Sequence, residues 1–253
     1  MMKRMPSRLG AMLVCAFFVT GSVTAGSAYY SDEVKRILAV GGSVIVDEDF
    51  DSYTLKQFCQ AGKNRVKIFV ADNFDSHTVK EFLKLGGSVV VDDYFDSYAI
   101  KEFIALGKSR VTVRTGRSYD TYTVGEFLDA GASIILAGNY FDSYTIKEWI
   151  AKGKERVRIE TQKGYGSYEI REFIDLGASV MVDDNDGIYQ VKEYIAAGKQ
   201  RVKVITDGGW ASYEIKELLT AGGCVVLNDD SPMYLIEEYC KIGGYRVVVA
   251  ATN

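Results

Sequence analysis

The sequence predicts an α/β protein: an open right-handed solenoid of ten helix–strand units, alternating between about 21 and 24 residues, with one parallel sheet. Three observations predict it. The phrase FDSYAIKEFIALGKSR at Phe95 to Arg110 returns as FDSYTIKEWIAKGKER at Phe141 to Arg156. Aligned on that phrase, units begin at Ser31, Ser52, Ser76, Ser97, Thr121, Ser143, Ser167, Ile188, Ser212 and Met233, spaced by 21, 24, 21, 24, 22, 24, 21, 24 and 21 residues. Each unit then joins a helical period to a β-branched run of strand length. Closure of the same sheet into a ten-stranded β/α barrel is the alternative.

Within a unit the helix comes first. Ile100, Phe103 and Ile104 stand at i, i+3 and i+4, as do Ile146, Trp149 and Ile150, which is one face of a helix. Asp96 and Asp142 precede these runs and supply N-cap oxygens. A glycine follows ten residues after the unit's start, as at Gly107 and Gly131, where a left-handed residue is expected to end the helix. Short units continue as GGSVVVDD at Gly86, and long units as GKSRVTV at Gly107. Strands separated by helices pair in parallel, and a unit this small must borrow its interior from its neighbours.

A 20- to 25-residue repeat holding one strand and one helix resembles the leucine-rich-repeat solenoids in plan. That family's L-x-x-L-x-L-x-x-N signature is absent, with Val and Ile in place of Leu, so the resemblance implies an architecture and no functional residue.

Residues 1–28 read as a signal peptide: the basic start MMKRMPSRLG, an apolar run from Ala11 to about Val23, and small residues at Val23–Ala25 and Gly26–Ala28. Residues 29–253 then form one repeat domain, secreted or periplasmic, with no membrane segment after cleavage. The cysteines that remain, Cys59, Cys224 and Cys240, make no disulfide framework, although Cys224 and Cys240 lie one element apart and could bridge. A net charge of −4 and a pI near 5.3 exclude a nucleic-acid partner.

Repetition turns sequence positions into columns of side chains. Arg65, Arg110, Arg156, Arg201 and Arg246 precede the long strands and are expected to bond helix-terminal carbonyls. The tyrosines from Tyr53 to Tyr234 are expected to pack against the adjacent helix with the hydroxyl in water. The acidic column Asp47, Asp92 and Asp183 lacks the spacing of a calcium motif. No histidine pair, Cys/His pair or phosphate loop is present, so no catalytic residue, metal or cofactor is expected and the chain is read as no enzyme.

In an open solenoid, the sheet face turned from the helices carries a polar stripe, Lys67, Thr112, Arg158 and Lys203, beside an apolar one, Ile45, Val90, Ile135 and Met181. This uncovered face is the expected binding surface for a protein or glycan partner. The bare terminal strand RVVVAATN suggests the alternative of a self-assembling protein stacked head to tail as a homo-oligomer. A hydrolase in a β/α barrel is the third reading.

Overall fold

The computed structural model describes residues 22–25, 31–39, 43–47, 50–70, 74–115, 119–136, 140–161, 164–206, 209–228, 233–243 and 246–250. Among them the strands are β1 Ser22–Ala25, β2 Ser43–Val46, β3 Val66–Val70, β4 Ser88–Val91, β5 Val111–Thr115, β6 Ser133–Leu136, β7 Val157–Glu160, β8 Ser179–Val182, β9 Val202–Thr206, β10 Cys224–Asn228 and β11 Val247–Ala250. The helices are α1 Ser31–Ala39, α2 Ser52–Gly62, α3 Ser76–Lys84, α4 Ser97–Gly107, α5 Thr121–Asp129, α6 Ser143–Gly153, α7 Ser167–Leu176, α8 Ile188–Gly198, α9 Ser212–Ala221 and α10 Met233–Gly243. The ten repeat units therefore run from α1 to β11 as the sequence lays them out.

Every strand pair is parallel, and the sheet is not open. It curls into a barrel in which β2 to β11 follow chain order and β1 closes the ring between β11 and β2. The expected open solenoid is corrected here. The register supplies the reason: Ile45 pairs with Lys67 and Lys67 with Ser88, and the same step recurs at Val90, Thr112 and Ser133. Each pair of units thus advances the register by two residues in one direction, and such stagger accompanies the strand tilt that bends a sheet onto itself. β1 lies in the stretch read as a leader, and no repeat phrase announces it. β1 pairs with both β2 and β11 and so covers the edges of the two terminal repeat strands.

Two interiors result. The helices pack on the outer face of the sheet around Val44, Val46, Ile68, Val89, Val113, Phe103, Phe127 and their repeats. The lumen holds a separate apolar layer of Ile45, Val90, Ile135, Met181 and Val226, with Ile205 joining it. Five side chains from alternate strands fill that level, so the barrel is plugged and is no pore.

The local signals act largely as expected. Asp51, Asp75, Asp96, Asp120 and Asp142 cap their helices through side-chain oxygens. Arg110 donates to the carbonyls of Leu83 at 2.8 Å and Gly87 at 2.7 Å, and Arg156 and Arg201 repeat the arrangement one and two pairs of units further on. The arginine column therefore staples the end of the preceding unit. Cys224 is a free buried thiol bonded to the Gln200 carbonyl, so it forms no bridge; the side chain of Cys240 lies outside the described residues.

Two expectations change. In short units the glycine is left-handed, with φ +105° at Gly131. In long units it is right-handed, and the next residue, Lys63, Lys108, Lys154 or Lys199, takes φ of 51° to 53°. The long-unit glycine answers to space: a Cβ on Gly107 would lie 2.7 Å from Val111 Cγ2 and 2.8 Å from Leu83 Cδ2. The tyrosine column does not pack down, since its members are between 64% exposed at Tyr213 and 84% exposed at Tyr189.

Candidate active site at the carboxyl mouth of the barrel

Each helix runs back against its strands, so helix N-termini surround the carboxyl ends of the strands and helix C-termini surround the amino ends. The caps follow this polarity. Asp51, Asp75, Asp96, Asp120 and Asp142 ring the carboxyl mouth, while Lys63, Arg65, Lys108, Arg110, Lys154, Arg156, Lys199 and Arg201 ring the opposite face. The helix dipole favours this arrangement at both ends. It gives the barrel one acidic face and one basic face.

The columns place a layer of inward residues at the mouth. Phe69 and Ile205 occupy two equivalent positions there, and Arg114 and Glu160 replace them on β5 and β7. The pair meets at 3.7 Å between Arg114 Nη2 and Glu160 Oε2. Glu160 is 8% exposed. The repeat is thus broken by charge at the end of the barrel where β/α-barrel enzymes place their chemistry.

Next to this pair stands the segment after β8. Asp183 is buried and accepts from the Asn185 amide nitrogens, backbone at 3.0 Å and side chain at 2.9 Å. Thr161 donates through its hydroxyl either to the Met181 carbonyl at 2.8 Å or to Asp186 Oδ2 at 3.2 Å, tying β7 to this segment. Burial, with the charge of Asp183 added, raises the Asp186 carboxyl above its ordinary value, against the opposing Thr161 hydrogen bond. The mouth therefore carries one carboxyl raised above its ordinary value and one carboxylate paired with a guanidinium. Environments that separate two carboxyls in this way permit acid–base work.

The eight residues expected on an uncovered binding face are together, but inside. Lys67, Thr112, Arg158 and Lys203 are 2%, 1%, 4% and 6% exposed, and Ile45, Val90, Ile135 and Met181 are 1% to 2% exposed. Closure turned that face into the lumen, so a macromolecule cannot reach it. Arg114, Glu160 and Asp186 were missed. Their signal was visible in the sequence, because each lies in a strand or loop whose equivalents carry other chemistry. Among the described residues, no three His, Cys, Asp or Glu side chains come together as a metal site.

A second break lies on the outer surface. A belt of ion pairs joins successive helices, as Lys80 to Glu102 at 2.7 Å, Lys101 to Glu126 at 2.8 Å and Lys147 to Glu172 at 2.8 Å. Gly125 stands where α5 should supply the next lysine, opposite Glu148 on α6. The missing side chain leaves a groove of about 610 Å³ between α5 and α6, floored by Trp149.

No family model matches the chain, and no curated protein matches it. Solved structures that resemble it include enzymes. An N-acetyl-D-glucosamine-6-phosphate deacetylase from Mycobacterium smegmatis is 10% identical, covers 89% of this chain and 73% of its own, and has a TM-score of 0.43. A tryptophan synthase α-subunit from Pyrococcus furiosus is 13% identical over 93% of this chain and 89% of its own, with a TM-score of 0.39. An aldolase from Escherichia coli K12 is 13% identical over 90% and 92%, with a TM-score of 0.36. No activity transfers at these identities. The expectation of an open binding face is corrected by the fold itself: the face is enclosed in the lumen.

Proposed function

We propose that the chain is a hydrolase of the β/α-barrel type, acting at the carboxyl mouth by carboxyl acid–base chemistry. The observation that carries this reading is the break in the repeat where Arg114 and Glu160 replace the hydrocarbon of Phe69 and Ile205. Asp186, whose buried carboxyl is raised above its ordinary value, takes the part of the proton donor in this reading. Glu160, held by Arg114, is the carboxylate that accepts a proton from water. The ring of aspartates around the mouth disfavours anionic substrates, so the substrate is uncharged or cationic.

A panel of chromogenic esters, amides and neutral glycosides tests this directly. Turnover should appear on at least one class, and Glu160→Gln or Asp186→Asn should lower it about 10²- to 10⁴-fold. A silent panel, or a rate that survives both substitutions, would refute the reading.

The finer architecture and the address belong to the same proposal. Removal of residues 1–28 on export leaves a ring of the ten repeat strands alone. N-terminal sequencing of the protein recovered from the periplasm or medium should begin at residue 26 or 29, and recovery with Met1 or Met2 in place would contradict export.

A further inference from the structure

The opposite end of the lumen is built for a different chemistry. Lys67 on β3, Arg158 on β7 and Lys203 on β9 hold equivalent positions in the repeat, with Thr112 on β5 at the fourth. They therefore share one level inside the barrel, and every one of them is more than nine-tenths buried. The level toward the amino face carries Ser88, Ser133, Ser179 and Cys224; the level toward the mouth is the apolar plug. Three hydroxyls and a thiol on one side and hydrocarbon on the other thus bracket three basic side chains.

Packing does not require these cations. One level higher, Ile, Val and Met fill the same lumen, and the column itself accepts threonine at Thr112 and valine at Val248. The charges also feel one another: burial first, then Arg158 and Lys203, lower the Lys67 ammonium well below its usual range. Burial lowers Arg158 to about 10. Access exists from the amino face, where a cavity of about 180 Å³ is lined by Asn64, Lys67, Ser88, Ser109, Arg110 and Thr112. The lysine and arginine rim of that face, carrying Glu155 as its one acid among these 3-10 turns, draws anions toward the opening.

We propose that the amino end of the lumen binds a small tetrahedral oxyanion of the phosphate or sulfate class, held by Lys67, Arg158 and Lys203 with the hydroxyls of Thr112 and Ser88 beside it. Arg158 offers a planar fork that matches such an ion, and the lysines add point charge. An ion that binds only the folded chain raises its stability in proportion to occupancy. The site lies at the far end of the barrel from the mouth and stands independently of the proposed hydrolysis.

Thermal unfolding of the purified protein, titrated with sodium phosphate, sodium sulfate and glycerol 1-phosphate against sodium chloride at matched ionic strength, is the test. A saturable rise of the midpoint with phosphate or sulfate, absent with chloride, is expected, together with broadening of the free phosphate ³¹P line. A rise with glycerol 1-phosphate alone assigns the same site to an organic phosphate. Lys67→Thr and Arg158→Val, residues the column already uses, should each abolish the rise and the broadening. The ³¹P measurement on the wild-type protein stands even where a variant fails to fold. No rise above chloride and no broadening, or an undiminished response in both variants, would overturn the proposal.

Discussion

Val248 on β11 and Ser43 on β2 both pair with Ser22 on β1. At each other junction from a long unit to a short one, their equivalents pair directly: Lys67 with Ser88, Thr112 with Ser133, Arg158 with Ser179 and Lys203 with Cys224. Val248 and Ser43 are thus a fifth such pair, already level and separated by one inserted strand.

A chain that starts at Tyr29 is accordingly expected to close β11 directly onto β2 with no slip of register. Circular dichroism should keep its helix and strand content, unfolding should remain a single transition, and light scattering should give a monomer. A collapsed signal, or a dimer joined through the two edges, would show that β1 is required.

The two kinds of glycine should fail for different reasons. Gly107→Ala drives a Cβ into Val111 and Leu83 and is expected to cost about 1–3 kcal/mol by overpacking. Gly131→Ala meets nothing nearer than Lys108 Cδ at 3.7 Å, and its cost of about 1 kcal/mol comes from φ +105°. Trimming the neighbour with Val111→Ala in urea denaturation should recover part of the first loss only. Equal recovery in both would contradict the distinction.

Asp186 ties stability to pH. Its folded carboxyl holds the proton above the ordinary 3.8, so the folded chain binds more protons than the unfolded one as pH rises from 3.8 through the raised value. Stability falls across that window and stays lowered above it. Asp186→Asn should match the wild type at acid pH and exceed it at neutral pH in denaturant titrations. A variant less stable at neutral pH would mean that the lost contact with Thr161 outweighs the relief.

Gly125→Lys should complete the belt of ion pairs by reaching Glu148. A Cβ there stands 3.9 Å from Trp149 Nε1 and Lys152 Nζ, so it enters without collision. Better helix propensity and one surface pair together are expected to add about 1 kcal/mol in chemical denaturation. Loss of stability would show that the groove is not simply a missing side chain.

Much of the unit was legible in the sequence, because its signals act over a few residues. Asp96 and Asp142 cap where they were expected to cap, and Arg110 bonds helix-end carbonyls as its position implies. Gly107 shows the limit. Its place was legible while its reason was not, since Leu83 reaches it from the preceding unit. Arg114 and Glu160 were written as departures from their column, but departures are hard to rank until the level of the barrel they occupy is known.

The sequence by itself determined ten interlocking helix–strand units, their parallel order and the alternation of two lengths, since hydrophobic period and helix caps are local. Tertiary structure alone decided that the row closes and so buries Lys67, Arg158 and Lys203 in a lumen. Curvature is the sum of a small register step repeated around the ring, and a sum that must return to its start is a property of the whole sheet that no single unit carries.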